Sequence, residues 1–331
     1  MRQEVKQAEL RAETVNWVRD LVNEPPNLLG PVELEQEARE MAGREGLRMT
    51  VLGDKAIKNR GMGLLASVAA GTRQGAKLLH LRHLPEGPVR GRVALVGKGV
   101  TFDSGGLSLK PPSSQPDMKS DMAGAATVLG IMRAVAQENL PWEVHGIVPT
   151  CENMPGPGAT RPGDVFQSMS GKTVEVRNTD AEGRLILADA LTYAKELKPD
   201  LIVDFATLTG ACVVALGSLT AGVFGNKPEW NERAKAAADK AGELVWPMPL
   251  EPGLKSELRS NVADLRNTGS RWGGAISAAL FLEEFVDKTP WLHFDIAGPG
   301  FLDKTHGFHP KGGTGFGVLS LLSLLGLKGT D

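Results

Sequence analysis

The sequence predicts an α/β fold, with a mixed, mostly parallel central sheet and helices on both faces, an α/β/α sandwich. Three observations carry the prediction. Strand-like and helix-like stretches alternate along almost the whole chain, as in a parallel sheet covered on both sides. The stretch 93–97 is apolar without alternation, the mark of a strand buried on both faces. The 40 glycines gather at strand ends, in GKG, DSGG, RWGG and KGGTG. In open α/β sheets ligands bind beyond the carboxyl ends of strands, so the functional site is expected there.

Taken in order, residues 8–22 form an amphipathic helix, which the prolines of NEPPNLLGP stop. A helix over 32–45, a short strand over 48–52, a helix over 56–70 despite Gly61 and Gly63, and a strand over 77–84 follow. The strand 93–97 leads to a helix of small and apolar residues over 123–137. Strands are expected over 144–148 and 172–176. The helix 183–197 has an apolar face that includes Leu187, Ala190, Leu191 and Ala194. Strand 201–206, surface helix 230–244, helix 274–286, strand 292–296 and helix 315–325 complete the chain. There is no internal repeat and no low-complexity linker.

Composition narrows the function. The 331 residues carry a net charge of -2, which gives no footprint for nucleic acid or an anionic membrane. Cys151 and Cys212 are too few for a disulfide framework, sit in apolar runs, and suit a reducing compartment. The polar start lacks a signal-peptide core, and the apolar run 316–327 is too short to span a bilayer. A cytoplasmic protein with no membrane partner is expected. Several common site types are absent: no HExxH spacing among the six histidines, no GxxxxGK[ST] around Lys98, and no GxSxG around Ser104. His306 and His309 read as loop residues.

Two segments carry chemistry, VGKGVTFDSGGLSLKPPSSQPDMKSD (96–121) and NTDAEGR (178–184). Each begins where a buried strand ends. They place Asp103, Asp121, Asp180 and Glu182 among apolar strands and glycine turns, where four carboxylates could not all ionise unaided. Two divalent cations would balance them, and carboxylate-rich ligation suits Zn²⁺, Mn²⁺ or Mg²⁺. The same acids also suit exposed loops or a helix start, and spacing does not choose between these readings.

GKGVTFDSGGLSLKP followed by MKSDMAGAA, and then NTDAEGRLILADAL, resemble the signature blocks of the leucyl aminopeptidase (cytosol aminopeptidase) family. ENMPGPGATRPGDV, DFATLTGA, GGAISAALFLEEFV, DIAGPG and GGTGFGV resemble further family blocks, in family order. The resemblance runs from about the N-terminal helix to the C-terminus. It implies a zinc-exopeptidase-like catalytic domain over 1–331, begun by a linker helix and without the family's additional N-terminal domain.

Residue by residue, the resemblance implies five metal ligands. Lys98 ligates one ion through a neutral amine, Asp103 is shared, Asp121 belongs with the lysine-bound ion, Asp180 with the other, and Glu182 bridges. On spacing alone, Lys98 would instead pair with Asp103. Lys110 resembles the lysine that stabilises the oxyanion, and Arg184 the arginine that holds bicarbonate as general base; alone, they would read as a solvated loop lysine and a helix residue paired with Asp180 or Glu182. Met118, Asn178, Thr207, Leu208, Gly210 and Ala297 are the implied substrate-binding positions, although Met118 and Thr207 also suit core packing. Gly300 stands where some relatives carry a bulky residue, which suggests a roomier pocket than strict leucine preference needs.

The implied activity is metal-dependent removal of N-terminal residues from peptides, through a hydroxide bridging two ions of Zn²⁺, Mn²⁺, Mg²⁺ or Co²⁺. The implied assembly is a homohexamer, a dimer of trimers. The competing reading is a non-catalytic or DNA-binding oligomeric scaffold of the same descent, against which the intact ligand set and near-neutral charge argue. A narrow Cys-Gly dipeptidase would differ only in substrate.

Overall fold

The computed structural model describes residues 2–307 and 309–326. The first helix, α1 (Arg2–Asn23), is built into the domain. Arg11 pairs with Glu138 at 2.6 Å, Arg19 Nε donates to the Thr314 carbonyl, and Asn23 Oδ1 accepts from Gly313 N–H. Helix α2 (Pro31–Arg44) starts on Pro31, and the Glu33 carboxylate reaches back to accept from Gly30 N–H at 3.0 Å. Strand β1 (Arg48–Leu52) has the expected bounds. The helix expected over 56–70 is divided into α3 (Asp54–Asn59) and α4 (Gly63–Val68). Gly61 adopts φ +69°, a left-handed conformation that no continuous helix contains.

Next come β2 (Lys77–His83), β3 (Arg92–Gly97), β4 (Gly99–Asp103), a 3₁₀ stretch (Gln115–Met122) and α5 (Ala123–Gln137). Strand β5 (Glu143–Asn153) runs well beyond the expected 144–148 and so carries Asn153 to the site. Then follow β6 (Val165–Gln167), β7 (Thr173–Glu175), α6 (Gly183–Glu196), β8 (Leu201–Ala206), α7 (Gly210–Leu216) and β9 (Thr220–Gly225). Helix α8 (Pro228–Ala241), β10 (Leu244–Pro247), β11 (Leu265–Arg266), α9 (Gly274–Glu283), β12 (Trp291–Asp295), β13 (Phe301–Leu302), β14 (Gly312–Gly313) and α10 (Val318–Gly326) complete the set.

Among the described residues, nine strands form the central sheet, in the order β1-β2-β5-β3-β8-β12-β9-β10, with β4 also on β5. The inner pairs β5·β3, β3·β8 and β8·β12 are parallel, whereas β1·β2, β2·β5 and β9·β12 are antiparallel. The mostly parallel sheet is therefore as expected. Alternate residues of one strand enter opposite cores. Val93, Leu95, Val203 and Phe205 pack under α1, α2, α5, α8 and α10, while Ala94, Val96, Ile202 and Ala206 pack under α3, α4, α6, α7 and α9. Both faces being covered, β8 and β12 are buried along their whole length, and the polar residues they carry inside are paired, as His293 is with Asp204 at 2.6 Å. Both cysteines are buried free thiols. No helix among the described residues is long and apolar enough to cross a membrane, and Leu327 of the 316–327 run lies outside them.

A polar chain crosses the sheet away from the glycine-rich ends. Tyr193 OH lies 2.9 Å from His80 Nδ1, His80 Nε2 lies 2.9 Å from His145 Nδ1, and His145 Nε2 lies 3.2 Å from Glu143 Oε1. Two neutral imidazoles satisfy every link: Tyr193 donates to His80, His80 to His145, and His145 to the carboxylate, which Arg82 and Arg92 also hold. Burial, then repulsion from His145 whenever that ring is protonated and from Arg82 and Arg60, brings His80 down from 6.5 to about 4. Between those values the folded chain binds fewer protons than the unfolded one. The stability this contributes is therefore full above about pH 6.5 and lost as pH falls towards 4, on the order of 2–3 kcal/mol. In thermal unfolding from pH 4.5 to 7.5, His80→Phe is expected to lower the midpoint at neutral pH and to flatten its acid slope; parallel slopes for the two proteins would contradict this.

Candidate metal centre

The site residues gather at the carboxyl ends of the inner strands. Lys98 follows β3, its N–H donating to the Phe205 carbonyl at 3.0 Å and its own carbonyl accepting from Ala125 at 2.8 Å. Its side chain passes so close to Gly183 that a Cβ there would lie 2.7 Å from Nζ, so the start of α6 needs glycine. Asp103 ends β4 opposite Asn153 of β5. Asp121 is the penultimate residue of the 3₁₀ stretch that leads into α5, and Glu182 lies one residue before α6.

Asp103, Asp121 and Glu182 are buried, and each offers a carboxylate oxygen within 4.8 Å of the others. Lys98 Nζ lies 2.7 Å from Asp121 Oδ1, 2.9 Å from Glu182 Oε1 and 3.0 Å from the Thr207 carbonyl. Its closest carboxylates are thus not Asp103, the partner that spacing alone suggested. Lys110 Nζ lies 2.8 Å from Asp103 Oδ2 and 2.5 Å from Asp180 Oδ1. Asp180 therefore joins the group through Lys110 and not directly.

Electrostatics follows from this crowding. Burial, then repulsion from Glu182, raises Asp103 to about 6 against the pull of both lysines. Burial also pushes Asp121 well up, and Asp180 up. Glu182 is pushed up by burial too, but the Lys98 charge and hydrogen bond outweigh it and hold the carboxyl below the usual range. For Lys98 and Lys110 burial opposes the charge, yet the surrounding carboxylates raise both above an ordinary lysine.

The donor set fits divalent cations. Asp121 Oδ1 takes Lys98 and the Thr207 hydroxyl, the latter at 2.7 Å, whereas Asp121 Oδ2 is buried without a partner. Asp180 Oδ1 is buried as well, but there the Lys110 ammonium at 2.5 Å already holds it. Buried carboxylate oxygens that lack donors are oxygens a hard cation can use.

Arg184 is buried at the start of α6, and Nη1 donates to the Asn267 carbonyl at 2.7 Å while Nε has no partner. Burial lowers the guanidinium to about 10, still cationic at neutral pH. A buried cation with a spare donor suits an anion.

Three residues that the sequence reading did not single out organise the centre. Asn153 Nδ2 donates to Asp103 Oδ1 at 2.8 Å and to the Thr179 carbonyl at 3.0 Å, with Glu182 Oε2 at 3.5 Å. Asn267 is fully buried; its Oδ1 accepts from Arg177 N–H, its Nδ2 donates to the Asn178 carbonyl, and its own carbonyl holds Arg184. Asp295 ends β12 and accepts from Leu208 N–H, Thr209 N–H, Thr209 Oγ1 and Ala297 N–H. The signal for all three was a short polar side chain at a strand end or beside a glycine turn.

Of the expected substrate positions, Met118 is half-buried on the 3₁₀ stretch and Gly210 opens α7. Asn178 caps its own turn by accepting from Asp180 N–H at 2.9 Å. Thr207 holds Asp121, and Leu208 and Ala297 hang from Asp295. Gly300 is buried in a tight turn, its N–H on the Ile296 carbonyl at 2.8 Å. A Cβ there would lie 2.8 Å from that carbonyl oxygen, so a bulkier residue would need the turn to shift.

Against this geometry stand the known proteins. The profile of the cytosol aminopeptidase family, catalytic domain, matches residues 16–322. The chain belongs to the cytosol aminopeptidase family. A probable cytosol aminopeptidase of Aquifex aeolicus is 49% identical over 97% of this chain and 66% of its own length. One of Solibacter usitatus is 50% identical over 97% of this chain and 67% of its own length. The chain thus spans about two thirds of the length of these family members. Among solved structures, a bottromycin maturation enzyme, BotP, in complex with Mn superposes with a TM-score of 0.94 at 41% identity, over 98% of this chain and 72% of that one.

Proposed function

We propose that this chain is a two-metal aminopeptidase that hydrolyses the N-terminal bond of peptides. The observation that carries the reading is the buried trio Asp103, Asp121 and Glu182, with the unpartnered Asp121 Oδ2 beside Lys98, in a chain of the cytosol aminopeptidase family. In this reading Lys98, Asp121, Asp103 and Glu182 hold one divalent ion, and Asp103, Glu182 and Asp180 the other. Lys98 then gives up its ion pairs and its proton. When bound, such ions polarise the scissile carbonyl and acidify water at neutral pH. Manganese is a candidate because BotP is described with Mn, and the carboxylate-rich donors equally suit Zn²⁺, Mg²⁺ or Co²⁺.

The chain's own groups supply the rest. Lys110 keeps its charge, held up against burial by Asp103 and Asp180, and its role in this reading is to stabilise the negative charge that develops on the substrate oxygen. Arg184 offers its spare Nε–H to bicarbonate, the proposed general base. Met118, Asn178, Thr207, Leu208, Gly210 and Ala297 surround the N-terminal residue. Exopeptidase selectivity follows because only a chain terminus brings a free amine. The family name and the free thiols favour a cytoplasmic location. Strand β10, at the sheet edge, exposes Leu244 (54%) and Trp246 (58%), which favours assembly of copies, proposed as a hexamer.

The test is release of the N-terminal residue from aminoacyl anilides and short peptides by metal-stripped protein given Zn²⁺, Mn²⁺, Co²⁺ or Mg²⁺. Activity is expected to return with metal, and to vanish in Asp180→Ala and when the substrate amine is blocked. Sedimentation of the same preparations reads the assembly. A folded, assembled protein inert with every metal would overturn the proposal in favour of a scaffold.

A further inference from the structure

The 3₁₀ stretch that carries Met118 and Asp121 is eight residues long, Gln115–Met122. Its hydrogen bonds are poorer in geometry than those of an α-helix, and runs beyond three or four residues are uncommon. A stretch of this length needs ties from outside. At its start Gln115 Nε2 donates to the Lys110 carbonyl at 3.1 Å, and near its end Asp121 Oδ1 meets Lys98 and the Thr207 hydroxyl. Between them Lys119 Nζ donates to the Asn23 carbonyl at the end of α1.

Asn23 is the last residue of α1, and its carbonyl is one of those a helix leaves without an intrahelical partner. An ammonium there satisfies the orphan oxygen and complements the negative end of the helix dipole. The helix is itself fixed in place. Asn23 Oδ1 accepts from Gly313 N–H at 2.9 Å, Arg19 Nε donates to the Thr314 carbonyl at 3.0 Å, and Arg11 pairs with Glu138 past the far end of α5. Gly130 lets α1 lie directly on α5, Val18 occupying the space a Cβ would need. Lys119 and Asp121 thus hold different partners from one short stretch, the lysine α1 and the carboxylate the groups at the strand ends. The Asp121–Lys98 ion pair is the tie that metal loading removes, since Lys98 then becomes a neutral ligand. The tie from Lys119 to α1 involves none of the ligands and remains.

We propose that Lys119 is a positioning residue of the metal centre: by hooking the 3₁₀ stretch to the end of α1, it holds Asp121 where the ion shared with Lys98 needs it. The inference rests on the two-metal aminopeptidase reading, in which Lys119 is no ligand and acts through Asp121. Loss of a residue one step removed from an ion typically costs about 10–100-fold in metal affinity. The test titrates the metal-stripped chain with Zn²⁺ or Mn²⁺ against a chromophoric chelator, which resolves two binding steps without turnover. Lys119→Met keeps the stem and removes the donor. It is expected to weaken one step about tenfold or more and to leave the other within about threefold. Lys119→Arg keeps a donor and is expected to restore most of the loss. Arg11→Gln loosens α1 away from the centre, and is expected to lower the thermal midpoint while leaving both steps as in the parent. Both steps unchanged in Lys119→Met, or both weakened alike in Lys119→Met and Arg11→Gln, overturn the proposal. Hydrolysis of leucyl anilide by the metal-loaded parent reads activity separately. A parent that cleaves nothing but binds ions in a Lys119-dependent step would sink the aminopeptidase reading and keep the positioning role; an active parent whose affinities ignore Lys119 would sink the positioning role alone.

Discussion

Glu182→Gln is expected to lower kcat for an aminoacyl anilide by on the order of 10³, at saturating Mn²⁺ or Zn²⁺. The change keeps size and hydrogen-bonding capacity but removes one negative charge. Glu182 is 2% exposed, 2.9 Å from Lys98, and belongs to the trio whose oxygens lie within 4.8 Å. A site that holds two dications needs that charge, since a neutral amide is a poorer ligand and leaves excess positive charge buried. Bound metal per chain, measured beside kcat, separates lost ions from lost chemistry. The variant is expected to stay folded, because Lys98 keeps Asp121 as a partner. Parent-like turnover by Glu182→Gln would remove this residue from the reaction.

Asp295→Ala is expected to have the larger effect on stability, about 3–5 kcal/mol. Asp295 is 1% exposed and takes four hydrogen bonds, from Leu208, Thr209 (main chain and hydroxyl) and Ala297. Alanine leaves those donors facing a cavity in a segment where β8 and β12 both end. The urea midpoint measures the loss. Activity should fall as well, since Thr207 precedes that loop and fixes Asp121. A midpoint unchanged within experimental scatter would show that water or rearranged backbone satisfies the donors.

The sequence made some of this plain and hid the rest, for physical reasons. Strands β1 and β8 and helix α5 have the expected bounds, since periodicity and burial agree there with local preference. Strands β4 and β9 contain or adjoin glycines and lie against signature loops, so their pairing with distant strands decides their shape. The long helix expected over 56–70 failed because a periodic pattern does not reveal a left-handed residue at Gly61. At the centre, the acids and lysines were legible as types in an ordered block. That Lys98 would face Asp121 and Glu182, and Lys110 would face Asp103 and Asp180, was not, because those pairs depend on how four loops meet. Asn153, Asn267 and Asp295 stayed hidden for the same reason, their role being to bind main chain of loops remote in sequence.

The parallel register has a consequence for how the chain reaches its working form. Val93 pairs with Leu201 and Ile202 with Trp291, contacts that close very long loops and are entropically slow to make. Lys98, Thr207 and Asp295 stand at the ends of these same three strands, so their juxtaposition has to wait for the slowest pairings. A nascent or half-collapsed chain would carry every chemical group of the centre without its geometry. The proposed peptide-cleaving competence is then a property of the finished domain alone, and refolding should show secondary structure and collapse well before any activity.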